Sequence, residues 1–115
     1  MLKLNSYGKE FDIYLTIDEY IENDNLYVGM ITTSEGYPEP FGDLTVNIGI
    51  KCEENCSYID INNNIPDIIQ WLVNNNLGMP TGDMDWSGYT QYPKFEFNME
   101  ELNKHIYKEE EWYGI

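Results

Sequence analysis

Glu10-Phe11-Asp12-Ile13-Tyr14-Leu15-Thr16-Ile17-Asp18 sets Phe11, Ile13, Leu15 and Ile17 on one side of an extended chain, with Asp12, Tyr14, Thr16 and Asp18 opposite. Successive side chains of a strand alternate faces, so this period of two predicts a strand with one buried and one wet face. The polar run Glu22-Asn23-Asp24-Asn25 turns the chain into a second β-rich run, Leu26 to Thr33. Ser34-Glu35-Gly36-Tyr37-Pro38-Glu39-Pro40 breaks the ladder, because its two prolines have no N–H to donate. Leu44, Val46, Ile48 and Ile50 then alternate with Asp43, Thr45, Asn47 and Gly49 as a third strand. Three sequential strands on short turns favour an antiparallel meander.

Downstream the pattern changes. Residues 51–61 read as an irregular connection with a short extended piece at Tyr58-Ile59-Asp60. Ile65, Ile68, Ile69, Leu72 and Val73 form the stripe of an amphipathic helix over about 65–75, with Asn64 as N-cap and Pro66 in its first turn. Gly, Pro, Asp, Ser and Thr crowd residues 78–91, which predicts the longest loop, followed by a short strand from Tyr92 to Phe97. Asn98 with Glu101 fits a capping box, opening a second helix to about Lys108 on Met99, Leu102 and Ile106. The expected architecture is α+β: one antiparallel sheet of about four strands with two helices packed on one face, in a single domain over 1–115. Residues 109–115 would be an acidic-aromatic tail.

Composition restricts function. The 115 residues hold 6 Lys and no Arg against 21 Asp+Glu, a formal net charge of −15. Direct nucleic-acid binding needs a basic surface, which is missing. No apolar stretch approaches a membrane span, and the start turns polar too soon for a secretory signal. Two cysteines, Cys52 and Cys56, give no disulfide framework, which fits a cytoplasmic protein with reduced thiols. Absent Ala and abundant Asn, Ile and Tyr suggest AT-rich coding, but AT-rich coding would also raise Lys. The acidity therefore looks selected. A folded chain of this mass exposes roughly 6,500 Å², or about one net charge per 430 Å². Duplex DNA carries roughly one per 110 Å² of a cylinder of ~10 Å radius. Imitating a polyanion thus requires the carboxylates to gather on one face; spread evenly, they serve only solubility.

Tyr58-Ile59-Asp60-Ile61-Asn62-Asn63, Ile68-Ile69-Gln70-Trp71-Leu72, Asn76-Leu77-Gly78-Met79-Pro80-Thr81-Gly82, Ser87-Gly88-Tyr89 and Tyr92-Pro93 carry a resemblance, along with Glu39-Pro40-Phe41 and Leu44-Thr45-Val46-Asn47. The string resembles a family of uncharacterised small acidic domains, labelled as of unknown function, from mobile elements and prophages of Gram-positive bacteria. The likeness spans roughly residues 10–105. It implies no activity and no site residues, only a genomic neighbourhood in which small acidic proteins inhibit host defence, anti-CRISPR and anti-restriction proteins among them.

No motif carries catalysis. Twenty-one carboxylates make any single acid–base pair uninformative, and the lone His105 leaves no Ser-His or Cys-His pairing to argue from. Cys52 and Cys56 lack two further soft ligands for zinc. Asp83, Asp85 and Ser87 with Gly88 match the opening of a calcium loop, but Lys94 falls where the bidentate Glu belongs and a strand follows where a helix is needed. No cofactor is expected. The residues expected to meet a partner are Asp12, Asp18, Glu19, Glu22, Asp24, Glu35, Glu39, Asp43, Asp83, Asp85 and Trp86, with Glu109, Glu110 and Glu111 of the tail. Acids beside exposed aromatics suit an Arg- and Lys-rich surface of a nucleic-acid-binding host defence protein, such as a Cas nuclease. The alternative is an accessory interaction module of a mobile element whose acidity only solubilises it. A homodimer through an unpaired strand edge is compatible with a small meander.

Overall fold

The computed structural model describes residues 1–108. The first sheet is a meander of β1 (Leu2–Ser6), β2 (Lys9–Glu19), β3 (Leu26–Thr32) and β4 (Glu39–Asp43), paired antiparallel in that order. The period-two stretch forms the centre of β2, with Ile13 opposite Thr32 and Ile17 opposite Val28. A strand missing from the sequence reading, β1, pairs its Leu2 and Leu4 with Ile13 and Phe11. Pro40 is tolerated because β4 is an edge strand with a register shift opposite Met30 and Ile31.

The expected third strand divides instead. Leu44 donates its N–H to the Val28 carbonyl at 2.9 Å, and its own carbonyl accepts from Asp60 N–H at 2.9 Å. At this residue the chain leaves the first sheet and enters a second. That sheet comprises β5 (Thr45–Val46), β6 (Cys56–Ile59), β7 (Gly78–Ser87) and β8 (Thr90–Phe97), in the order β5-β6-β8-β7. Helices α1 (Ile68–Asn74) and α2 (Met99–Asn103) are short.

This overturns the expectation of one sheet faced by two helices. The apolar face of the first sheet (Leu4, Ile13, Leu15, Val28, Met30) is covered by Leu44, Ile59, Phe95 and Phe97 of the second sheet and its approach, while Ile68, Leu72 and Leu102 of the helices complete the same core. Helices of seven and five residues are too short to cover a four-stranded sheet. The expected 78–91 loop is the whole of β7, the turn after it and the first two residues of β8. Its side chains are largely exposed and it is held through its backbone pairing with β8, so no apolar alternation betrays it.

At α1 the expected apolar stripe is present, with Ile68 and Leu72 fully buried. Asn64 does not cap it; its amide donates to the carbonyls of Asp43 and Asp60 at 2.9 and 2.8 Å. At α2 the Asn98 side chain accepts from Glu101 N–H, one half of the expected capping box; the other half is absent, because Asn98 N–H donates to the Leu77 carbonyl and the Glu101 carboxylate takes Lys104 and His105. The helix then stops at Asn103 rather than near Lys108. Leu15 N–H donates to the His105 carbonyl and Tyr107 N–H to the Leu15 carbonyl, both at 2.8 Å, so this segment lies beside β2 in line with β1. The α-amino group of Met1 is 3.2 Å from His105 Nδ1.

Candidate functional site

Beyond Glu19 the β2–β3 turn closes through Tyr20 N–H to the Asn25 carbonyl and Asp24 N–H to the Tyr20 carbonyl, with Asp24 in the left-handed region at φ 60°. Asn25 follows, 3% exposed. Its amide donates to the Ile50 carbonyl at 2.8 Å and accepts from Cys52 N–H at 2.8 Å. One side chain thereby pins the loop after β5 to the hairpin end. A cleft of about 780 Å³ opens where they meet, floored by Ile17, Leu26 and Met99. Its rim carries Asp18, Glu19 and Asp24 from the hairpin and Glu53 and Glu54 from the loop, with Lys51 its single cation. Glu22 lies on the same turn, 3.4 Å from the Asn47 amide.

Three lysines pair away from the cleft, whereas Lys94 reaches Glu53 on its rim. Lys3 pairs with Asp12 and Glu10, Lys9 with Glu35, Lys104 with Glu101, and Lys94 with Glu53 and Asp83. Hydrogen bonding from Lys9 holds Glu35 below the usual carboxylate range, and Asp12 raises Lys3 in return. Asp18, Glu19, Asp24 and Glu54 take part in no salt bridge among the described residues. Four carboxylates free of ion pairs therefore meet at this cleft, while eight other described carboxylates, Glu22, Glu39 and Asp43 among them, also form no salt bridge and lie outside it.

Of the sequence-selected residues, Asp18, Glu19, Asp24 and Glu22 are brought together here, whereas the others are dispersed. Asp12 and Glu35 are consumed in ion pairs, and Glu39 opens β4 opposite Thr32. Asp43 accepts from Tyr27 OH at 2.6 Å, and burial together with that bond pushes the Tyr27 phenol up to about 12. Asp83 faces Lys94 Nζ at 3.6 Å, and the Asp85 carboxylate accepts from Tyr58 OH. These two, with Ser87, therefore belong to a hairpin strand, and no group of three metal-binding side chains occurs among the described residues. Trp86 is 63% exposed on that hairpin. Glu109, Glu110 and Glu111 lie outside the described residues.

Glu53, Glu54, Asn25 and Met99 were missed. Glu53-Glu54 sits between two cysteines in a stretch without periodicity, and its only sequence signal is the paired charge itself. The cysteines are free and buried, and desolvation raises both thiols. They pack with Tyr58 on the face of the second sheet turned away from the main core. None of the described helices is long and apolar enough to cross a membrane.

A family model described as a domain of unknown function, DUF4313, matches residues 14–113. Neither curated proteins nor solved structures give a match.

Proposed function

This chain belongs to the DUF4313 family, a domain of unknown function, and with no activity to carry over from it we propose that the acidic end binds a basic surface of a partner protein and excludes nucleic acid from it. One observation supports this reading: four carboxylates around one cleft are in no salt bridge, while Lys3, Lys9 and Lys104 are paired elsewhere. A basic nucleic-acid channel, such as that of a Cas nuclease, offers the complementary potential. In this reading the protein is a non-enzymatic inhibitor from a phage or mobile element, acting in the host cytoplasm without cofactor. Association would be fast and would weaken as salt screens the pair.

The test is capture of partners from the bacterial host, repeated with excess duplex DNA or guide RNA. A specifically captured partner that nucleic acid displaces, and that a Glu19→Lys, Glu54→Lys variant fails to capture, supports the proposal. A partner that ignores both refutes it.

A second reading is favoured by the β7–β8 hairpin, where Met84, Trp86 and Tyr89 are exposed. An accessory module docking through this apolar rim would hold its partner equally well at low and high ionic strength. The outer edge of β7 is also where a homodimer would form, by strand pairing between two copies.

A further inference from the structure

The other end of β2 carries a second cleft, of about 810 Å³, whose chemistry is the reverse of the first. None of its lining residues is charged. Its floor is the rim of the main core: Phe11, Phe41 and Ile65, with the two rings 4.9 Å apart and tilted by 58°. One wall is Asn62-Asn63-Asn64. Lys9, 5.0 Å from the Phe11 ring centre, is already neutralised by Glu35.

The orientation of two of these amides is fixed by their partners. Asn63 Nδ2 donates to the Asp60 carboxylate at 2.9 Å, and Asn64 Nδ2 to two backbone carbonyls. Those partners can only accept, so each NH2 group faces them and each Oδ1 is left to accept; Asn64 uses both its N–H donors and Asn63 one of its two. Neither Oδ1 accepts a hydrogen bond among the described residues. The Asn62 amide is spent on Thr90 and Tyr92, both at 3.2 Å. The wall therefore offers acceptors above an aromatic floor.

Tyr7, on the lip, supplies an independent observation. Tyr7 and Gly8 make the two-residue β1–β2 turn, with φ of 52° and 75°. Asn-Gly is the favoured pair for two left-handed positions, and a bulky aromatic there is strained. Tyr7 is nevertheless fully exposed and gains no burial in return. Strain kept at an exposed aromatic beside a cleft points to a ligand that the ring covers.

We propose that this cleft binds an uncharged pyranose, whose hydroxyl groups donate to the asparagine Oδ1 atoms while its C–H face packs on Phe41 and Tyr7. A cationic ligand would prefer the acidic cleft, and an anion is repelled by the net charge.

The test is an amide-resolved NMR titration of the full chain with maltose, cellobiose and N,N′-diacetylchitobiose, and with a proline-rich decapeptide as comparison. At least one disaccharide should give saturable shifts confined to residues around Ser6, Gly8, Gly42 and 62–64. Phe41→Leu, which keeps an apolar side chain in the floor, should weaken that binding about tenfold, the loss of one aromatic contact. Tyr7→Asn relaxes the turn, so it should preserve or raise thermal stability while weakening the sugar about tenfold. The proposal fails if none of the three sugars shifts these amides, if the peptide shifts them and the sugars do not, or if both variants bind as the parent does.

Discussion

Replacing Asn25 by Ala tests whether one buried amide assembles the acidic cleft. The substitution leaves Cys52 N–H without its acceptor and the Ile50 carbonyl without its donor, each bond being 2.8 Å in the parent. Cys52 is buried, so its unpaired N–H costs about 1–3 kcal/mol. Ile50 is exposed, so water replaces its lost donor and the cost there is about 0.5–1 kcal/mol. The total of about 1.5–4 kcal/mol corresponds to a fall in Tm of roughly 5–20 °C for a chain of this size. The functional consequence is local: with the pin gone, Glu53 and Glu54 are no longer held opposite Asp18, Glu19 and Asp24. Urea unfolding measures the first effect, and amide hydrogen exchange at Cys52 measures the second. A Gln70→Ala control removes a solvent-exposed contact to Asn74 on α1 and should cost less than about 1 kcal/mol. A loss under about 0.5 kcal/mol for Asn25→Ala, with protection at Cys52 unchanged, would show that the loop is held by something else.

Gly78→Ala should prevent stable folding: at φ 151° the added Cβ would lie 2.1 Å from the Glu96 carbonyl and 2.9 Å from Phe97 Cα, neither of which can rotate away; circular dichroism checks it. Glu19→Lys with Glu54→Lys relieves like-charge repulsion at exposed positions, so stability at low salt should stay level or rise while salt-sensitive partner capture is lost; a parallel fall in stability would argue against the surface reading. Glu101→Gln should destabilise only while the parent carboxylate is ionised. Its carboxyl is held below the usual range by hydrogen bonding from His105, then Lys104. A lowered folded value means that the stabilisation is full above the unfolded value of 4.5 and disappears as pH falls through the folded one. The two proteins should therefore differ at pH 6 and converge near pH 3 in denaturant titrations.

How much of this was legible beforehand depended on where each residue's information lay. β2 and β3 were readable because one face of each is buried and the alternation records it. The α1 stripe and the Asn98–Glu101 cap were readable because both are local in sequence. β7 was not, since its stability comes from the β8 backbone while its own side chains face water. Nor was the division at Leu44, where an unbroken apolar alternation crosses from one sheet to the other; only the positions of Val28 and Asp60 reveal it.

The sequence by itself determined the sign and size of the charge and the presence of an amphipathic β-meander, because both are sums over local residue types. Tertiary structure decided which carboxylates matter. Lysines distant in sequence neutralise Asp12 and Glu35, and a buried amide joins a hairpin to a loop some thirty residues away. It also produced the uncharged cleft, whose rings and amides come from four separate segments. Pairing and enclosure depend on distances in space, and a one-dimensional pattern carries no record of those distances.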